Sequence, residues 1–265
     1  MNVARLRNYL AFFRHFENAF TVWALRVGWI RLPLFLYKLR KGKHSYQFLG
    51  RPKANKASDL FILREILIEE TYRGLLPLLR KESIRLVDLG ANIGAATVWL
   101  NHVHGVREAF CFEPDTESFR LCQFNLDKNG CNGSKAYPQA MGATSRQTTM
   151  SSSVDRPAQS SLYGIPTGDK SVDQPVEVIS FSEWLAAHPG DFDLLKCDCE
   201  GAEWEILEKS PECFSRFKVV VIEVHRNSVS NTPIAKFPEA LTRLGFSTIR
   251  WDARINGLYI GQRAA

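Results

Sequence analysis

Four apolar runs in this chain end in carboxylates, at Asp88-Leu89-Gly90, Glu113-Pro114, Asp198-Cys199-Glu200-Gly201 and Glu223-Val224-His225. A carboxylate at the end of such a run can accept hydrogen bonds from paired hydroxyls, orient an acceptor group or take up a proton. His225 adds a ring that titrates near neutral pH and is a second candidate base, with hydrogen-bonded packing beside Glu223 as the alternative. The segment 87–94, Val-Asp-Leu-Gly-Ala-Asn-Ile-Gly, reads as a strand, a tight glycine turn and a helix start, the form of a nucleotide-binding turn. Gly90 would let the backbone approach a ligand, and Gly94 would let the helix pack closely on the strand. Asn92 stands where a dinucleotide fingerprint carries its second glycine, which weakens a nicotinamide reading, and Asn tolerates a left-handed backbone. Glu113 follows at the end of the next strand, where a carboxylate can accept bonds from both ribose hydroxyls of an adenosyl ligand. Asp88 would steer the turn or reach the ligand's amino group through water.

Elements that position these groups follow from the alternation of apolar runs and helical stretches. Strands are expected at 85–89, 109–112, 135–140, 193–197, 219–224, 247–251 and 257–261, with helices at 95–103, 116–129, 202–208 and 234–244. Asp115 is the expected N-cap of the second helix, and Asn129-Gly130 its left-handed stop. The fold class is therefore α/β: a Rossmann-like sheet with helices on both faces. In an open sheet of this kind ligands bind outside the carboxyl ends of the strands, so the four acidic endings converge on one crevice.

Together, Val-Asp-Leu-Gly-Ala-Asn-Ile-Gly at 87–94, Phe-Glu-Pro at 112–114, Leu-Lys-Cys-Asp-Cys-Glu-Gly-Ala-Glu at 195–203 and Ile-Glu-Val-His at 222–225 resemble the FkbM-type methyltransferases. The resemblance runs from about residue 60 to the end, and residues 65–72 look like the family's helix before the core. Cys197 and Cys199 stand in a strand the family usually makes more aliphatic. The resemblance implies a class I methyltransferase sheet, mostly parallel with an antiparallel last strand, and S-adenosyl-L-methionine as cofactor. It further implies methyl transfer to an oxygen, commonly a hydroxyl of a sugar, glycan, lipid-linked or polyketide acceptor. The residues expected around the cofactor are Asp88, Gly90, Ala91, Asn92, Gly94, Glu113, Met141 as a soft wall, and Tyr72 closing over it. Asp198 is the first candidate for acceptor orientation or proton removal; it could instead contact the cofactor. Glu200 would support Asp198 or serve as a helix N-terminal acid, with His225 as the second candidate base. No metal is expected.

Composition narrows what remains. The chain has 265 residues and a net charge of +6, but residues 1–56 carry +11 and the other 209 carry −5. The expected division is a basic, aromatic-rich N-terminal extension, 1–56, read as helical, and a methyltransferase domain, 57–265, with an insertion at about 143–177. The stretch 151–173, rich in Ser, Gly and Pro, reads as a long loop or hairpin. The extension reads as a lid packed on the body, as a peripheral contact with an anionic membrane, or as a nucleic-acid arm, the last being least favoured. Residues 20–37 are apolar but hold Arg26, Arg31 and Pro33, so no spanning helix is expected. Arg5, Arg7 and Arg14 break the apolar block a secretory signal needs. A cytoplasmic address is the default, with the inner membrane face as the place the basic extension would reach. The six cysteines lack zinc-site spacing and read as reduced and packed. Expected partners are a hydroxylated small-molecule or glycan acceptor; oligomeric state is not encoded legibly. Two other functions compete: an NAD(P)-dependent oxidoreductase, disfavoured by Asn92 and the lack of a Tyr-x-x-x-Lys pair, and a nonenzymatic RNA- or membrane-binding scaffold, for which the crevice carboxylates would be needless.

Overall fold

The computed structural model describes residues 12–52, 59–79, 83–153, 160–161, 171–225, 232–253 and 257–264. Helix α1 (Ala19–Arg26) leads into a hairpin of β1 (Phe35–Lys41) and β2 (His44–Gly50), turned at Gly42 with a φ of 57°. Helix α2 (Asp59–Leu63) widens into a π-helical turn (Arg64–Ile68) and is followed by a 3-10 turn (Thr71–Leu75). The body then alternates β3 (Ile84–Leu89), α3 (Ala95–His104), β4 (Val106–Phe112), α4 (Thr116–Lys128) and β5 (Ser134–Tyr137). A small sheet follows, made by β6 (Ala140–Gly142), β7 (Arg146–Ser153), β8 (Ser160–Ser161) and β9 (Ser171–Ser180). The chain returns through α5 (Phe181–Ala187), β10 (Phe192–Cys197), α6 (Ala202–Lys209), β11 (Phe217–Val224), α7 (Phe237–Arg243), β12 (Phe246–Asp252) and β13 (Gly257–Arg263).

The main sheet has the order β12-β13-β11-β10-β3-β4-β5, parallel except for β13, which runs antiparallel to both neighbours. This is the mostly parallel Rossmann-like sheet with an antiparallel last strand that the sequence predicts. Successive side chains on a strand point to opposite faces, and the buried residues divide accordingly. Leu86, Leu194, Val219 and Val221 join one apolar cluster with Trp99 and Leu121, while Val87, Leu195, Val220 and Ile222 join another with Phe181, Trp204 and Phe237. Chain order reverses between β3 and β10, the place where such sheets hold ligands. Register sets Leu89 beside both Phe112 and Cys197, and Cys197 beside Ile222, so the four acidic endings leave the sheet at nearly one level.

Three expectations need correction. The strand expected at 135–140 stops at Tyr137 because Pro138 offers no N–H to a ladder, and the chain resumes as β6 in the second sheet. The helix expected at 234–244 begins as a 3-10 turn (Ile234–Lys236), with Pro238 in the first turn of α7. The family-like helix at 65–72 is interrupted, with Glu70 at a left-handed φ of 51°. The stretch 151–173 is flanked by the antiparallel β7–β9 pair, and its residues 154–159 and 162–170 lie outside the described residues.

The extension is helical over α1 and continues as the β1–β2 hairpin. Tyr37 and Leu39 of β1 are buried while Lys38 and Arg40 are exposed, the period of two that a strand with one covered face shows. Phe13, Phe16, Tyr37, Leu39 and Phe48 share the cluster of Trp99 and Leu121. Asn125 of α4 and its C-cap Asn129 bind the hairpin edge. Asn125 accepts from Leu49 N–H at 2.7 Å and donates to Leu49 C=O at 3.0 Å, and Asn129 does the same for Gln47 at 3.0 and 2.7 Å. A four-residue helical step of about 6 Å matches a two-residue strand step of about 6.8 Å, so amides at i and i+4 mimic a neighbouring strand. Past β2, buried Arg51 donates to both oxygens of buried Asp59 at 2.9 Å and to Ser118 Oγ at 3.1 Å, tying the extension to the start of α4.

Candidate active site

The glycine turn after β3 is shaped by the strands beside it. Gly90 has a φ of 74°, and a Cβ there would lie 1.9 Å from the Asp198 carbonyl oxygen, so the glycine serves the close approach of the β3 and β10 ends. Gly90 and Ala91 both donate to Phe112 C=O at 2.9 Å, and Asp198 N–H donates to Leu89 C=O at 3.0 Å. Asn92 takes the left-handed backbone at a φ of 50°, and its N–H donates to Glu113 Oε2 at 2.7 Å. Asp115 N–H donates to Glu113 Oε1 at 2.9 Å, and Asp115 caps α4 through Ser118 N–H at 2.8 Å. Burial raises the Glu113 pKa to about 7 against these two backbone donors. Gly94, also left-handed, faces Cys122 Sγ, which a Cβ would meet at 3.1 Å; it serves the packing of α3 on α4.

A cleft of about 690 Å³, counting the solvent at its mouth, opens over these ends. Gly90, Asn92, Glu113, Met141, Asp198 and Glu200 line it, with Gln139, Met150, Cys199 and Ser118 also in its wall. Asn92 Oδ1 is buried without a hydrogen-bond partner, an acceptor for which a ligand donor is the natural complement. The Glu113 carboxylate keeps lone pairs beyond those given to the backbone. Acceptors, an apolar wall at Met141 and Met150, and a glycine turn suit an adenosyl ligand.

Below the cleft lies a charge centre. Lys196, one residue before the end of β10, is buried; its Nζ donates to Gly90 C=O at 2.6 Å and sits 3.2 Å from Asp88 Oδ1 and 3.7 Å from Asp198 Oδ2. Burial works to lower the Lys196 pKa, but Asp88 and Asp198 outweigh it and hold the value well above normal. Thr97 Oγ1 donates to the other oxygen of Asp88 at 2.8 Å.

His225 closes the far side. Its backbone N–H donates to Glu203 Oε1 at 2.7 Å, Nδ1 meets the same oxygen at 3.1 Å, and Gly201 N–H donates to Glu203 Oε2 at 2.9 Å. His225 Nε2 faces Glu200 at 3.6 Å, Asp198 at 3.7 Å and Glu223 at 4.0 Å. Burial opposes charge on the ring, yet the Glu203 bond, Glu200 and Asp198 together push its pKa well above 6.5. Glu200 adopts a left-handed φ of 49°, and burial raises its pKa to about 7 against the pull of His225.

The methyltransferase FkbM domain matches residues 88–247 of the chain. The chain belongs to the FkbM methyltransferase family. Over 175 residues it is 29% identical to Methyltransferase 1 of Beauveria bassiana (strain ARSEF 2860), covering 58% of this chain and 69% of that one. Among solved structures it is similar to methyltransferase FkbM from Methylobacillus flagellatus KT, with a TM-score of 0.47 and 19% identity, over 69% of this chain. The match spans 45% of that protein's length. A precorrin-6y C5,15-methyltransferase from Geobacter metallireducens GS-15 aligns with a TM-score of 0.44 and 13% identity, over 74% of this chain and 88% of that one. The cofactor expected from the sequence, S-adenosylmethionine, is the one the FkbM family uses.

In this FkbM chain some expected site residues stand elsewhere. Asp88 is fully buried and spent on Lys196 and Thr97, so it holds the turn and does not touch the cleft. Ala91 is likewise buried in the turn. Tyr72, expected over the cofactor, is buried, and its hydroxyl feels the charges of Lys196, Asp198, Glu223 and Glu65. His225 is ringed by carboxylates, and its bond to Glu203 with the charges of Glu200 and Asp198 pushes its pKa up, which favours the protonated ring. The sequence reading passed over Lys196 and Glu203. A lysine inside an apolar parallel strand is itself a signal, since a buried lysine needs a paired acid. Asp198, Glu223 and His225 also bring one ligand atom each within 4.8 Å of the others, a donor set the sequence reading does not anticipate.

Proposed function

We propose that this FkbM methyltransferase is an O-methyltransferase that binds S-adenosylmethionine across the β3–β10 switch point and methylates a hydroxyl of a glycan, sugar or other carbohydrate-containing metabolite. The observation that carries the reading is the convergence of Asn92, Glu113, Asp198 and Glu200 on one cleft over a family-typical glycine turn. When bound, the cofactor supplies an electrophilic methyl group on a sulfonium. The chain's task is to align the acceptor oxygen, exclude water and receive one proton. Glu113 accepts the ribose hydroxyls, and Asn92 Oδ1 accepts an N–H or O–H of the ligand. Asp198, between the cations Lys196 and His225, orients the acceptor hydroxyl. Glu200, with a pKa of about 7, takes its proton, and the His225 imidazolium holds Glu200 in place. The hydroxyl acceptor rests on the family resemblance together with Glu200 as proton acceptor.

Isothermal titration with S-adenosylhomocysteine, beside NAD and NADP, tests the reading: binding of the homocysteine product alone supports it, and binding of only a nicotinamide nucleotide overturns it. Glu113→Ala should weaken that binding by about 1.5–3 kcal/mol, the scale of a hydrogen bond to a charged group. Ribose hydroxyls need the ionised carboxylate, so wild-type affinity should rise as pH climbs through about 7 and level off above it. Glu113→Gln should flatten that rise, and an unchanged slope would remove Glu113 from the ribose. Turnover should be the same in a chelator as with added divalent cation; chelator-sensitive turnover would instead assign Asp198, Glu223 and His225 to a metal.

A further inference from the structure

Among the described residues, apolar exposure is concentrated in one short stretch. Phe20, Val27, Trp29, Ile30, Leu32 and Leu34 are all exposed, Phe20 at 71% and Trp29 at 72%, and every residue from 29 to 34 is exposed. The other large exposed apolar residues, Phe61, Phe124, Val172 and Ile249, are far apart in sequence. Single exposed apolar side chains are ordinary on any surface, but a contiguous set marks an interaction site.

The stretch is held in a definite shape. Val22, Ala24 and Leu25 anchor α1 from beneath, Val27 N–H donates to Trp23 C=O at 2.9 Å, and Trp29 N–H donates to Ala24 C=O at 2.9 Å. The rings of Phe20, Trp23 and Trp29 run in series, with centroids 6.0 and 4.7 Å apart. The protein therefore builds an aromatic ridge whose outer side is exposed at Phe20 and Trp29.

Charge identifies the occupant. Across residues 14–43 the only acid is Glu17, against Arg14, Arg26, Arg31, Lys38, Arg40, Lys41 and Lys43. Glu17 pairs with Arg40 at 2.8 Å, and Lys41 pairs with Glu70 at 3.2 Å. Arg14, Arg31, Lys38 and Lys43 are exposed. Since alternate residues of a strand share a face, Leu36, two residues past exposed Leu34, lies on the same side as Lys38 and Arg40, opposite buried Tyr37 and Leu39. The outer side thus grades from apolar to cationic. A protein partner of ordinary mixed charge gains nothing from a rim of one sign, whereas an anionic bilayer matches both parts: aromatics enter the headgroup boundary and cations meet the lipid phosphates.

We propose that α1, the 27–34 segment and the outward face of β1 form a docking surface for an anionic lipid bilayer. Attachment is peripheral, since no helix among the described residues is long and apolar enough to cross a membrane. Docking is independent of what the cleft binds. Trp29 is the one tryptophan of the six in the exposed class, so it reports directly on lipid contact.

The test uses the full chain with phosphatidylcholine vesicles, with and without phosphatidylglycerol. Co-sedimentation should require phosphatidylglycerol and fall about tenfold when salt rises from low to high ionic strength, as an electrostatic attachment does. Tryptophan emission should shift to the blue on the anionic vesicles. The variant Trp29→Ser, Ile30→Ser, Leu32→Ser should lose both signals while keeping its thermal midpoint and its S-adenosylhomocysteine affinity. Equal sedimentation of that variant, or no retention of the wild type, overturns the proposal. So does a wild-type dimer that the triple variant dissolves, which gives the ridge to a second copy. Release of the wild type from vesicles by RNA, with RNA binding lost in the same variant, gives it to nucleic acid and overturns the proposal too.

Discussion

Glu200→Gln should lower kcat by about 10²- to 10⁴-fold, the usual worth of a placed general base, while cofactor affinity holds. The amide keeps the size of the side chain and its left-handed turn but cannot take a proton. The pH dependence distinguishes this from simple misplacement. Burial sets the Glu200 pKa near 7, so in the wild type kcat should rise as pH climbs through that value. In Glu200→Gln the rise should vanish. His225 lowers the Glu200 pKa from 3.6 Å away, so His225→Gln should shift the rise toward higher pH and not abolish it. Asp198→Asn should also lose rate, through poorer acceptor alignment, yet keep the wild-type pH profile. Because kcat reports groups in the cofactor-bound enzyme, titration of Glu113, spent on the ribose, should show in binding and not in this rate. Full turnover and an unchanged profile in Glu200→Gln would move proton removal to another group. Rapid-quench measurement of methyl transfer separates these outcomes from slow product release.

How much of this centre could be read from the sequence depended on how local each signal was. The β3 strand, its glycine turn and Glu113 were legible because an apolar run, a left-handed residue and an acid lie within one α/β unit. The Asp115 cap and the Gly130 stop were legible for the same reason. The hairpin is not legible, because only 37–40 alternates apolar and polar residues, and aromatics among basic residues also suit an amphipathic helix. The other edge of β2 is bound by the amides of Asn125 and Asn129, 76 and 82 residues away from their strand partners. The break before Tyr72, at left-handed Glu70, carries no glycine or proline to announce it. The His225 charge state was illegible for a related reason. Glu223 is close in sequence, but the group that fixes the ring is Glu203, brought there by α6.

Lys196→Met should destabilise the fold by about 3–5 kcal/mol, the cost of stripping one partner from a buried ion pair. Asp88 is wholly buried, so without Lys196 its carboxylate would keep only the Thr97 hydroxyl. Gly90 C=O would lose its 2.6 Å donor at the point where β3 and β10 come closest. Methionine matches the length of lysine, so the loss measures charge and hydrogen bonding more than volume. The double variant Lys196→Met, Asp88→Asn removes both charges and should recover more than half of the lost stability, because an apolar or neutral pair in such a place often matches the ionic one. Chemical denaturation of the three proteins checks this: a double variant no more stable than Lys196→Met would mean that Asp88 is not what Lys196 neutralises. The recovered fold should still bind cofactor weakly, since an uncharged side chain at 196 leaves the carboxylates of Asp198 and Glu113 without the cation beneath them. Stability and binding would then part company at one residue. That is the behaviour expected of a lysine that both joins two strands and sets the charge of the cleft above them.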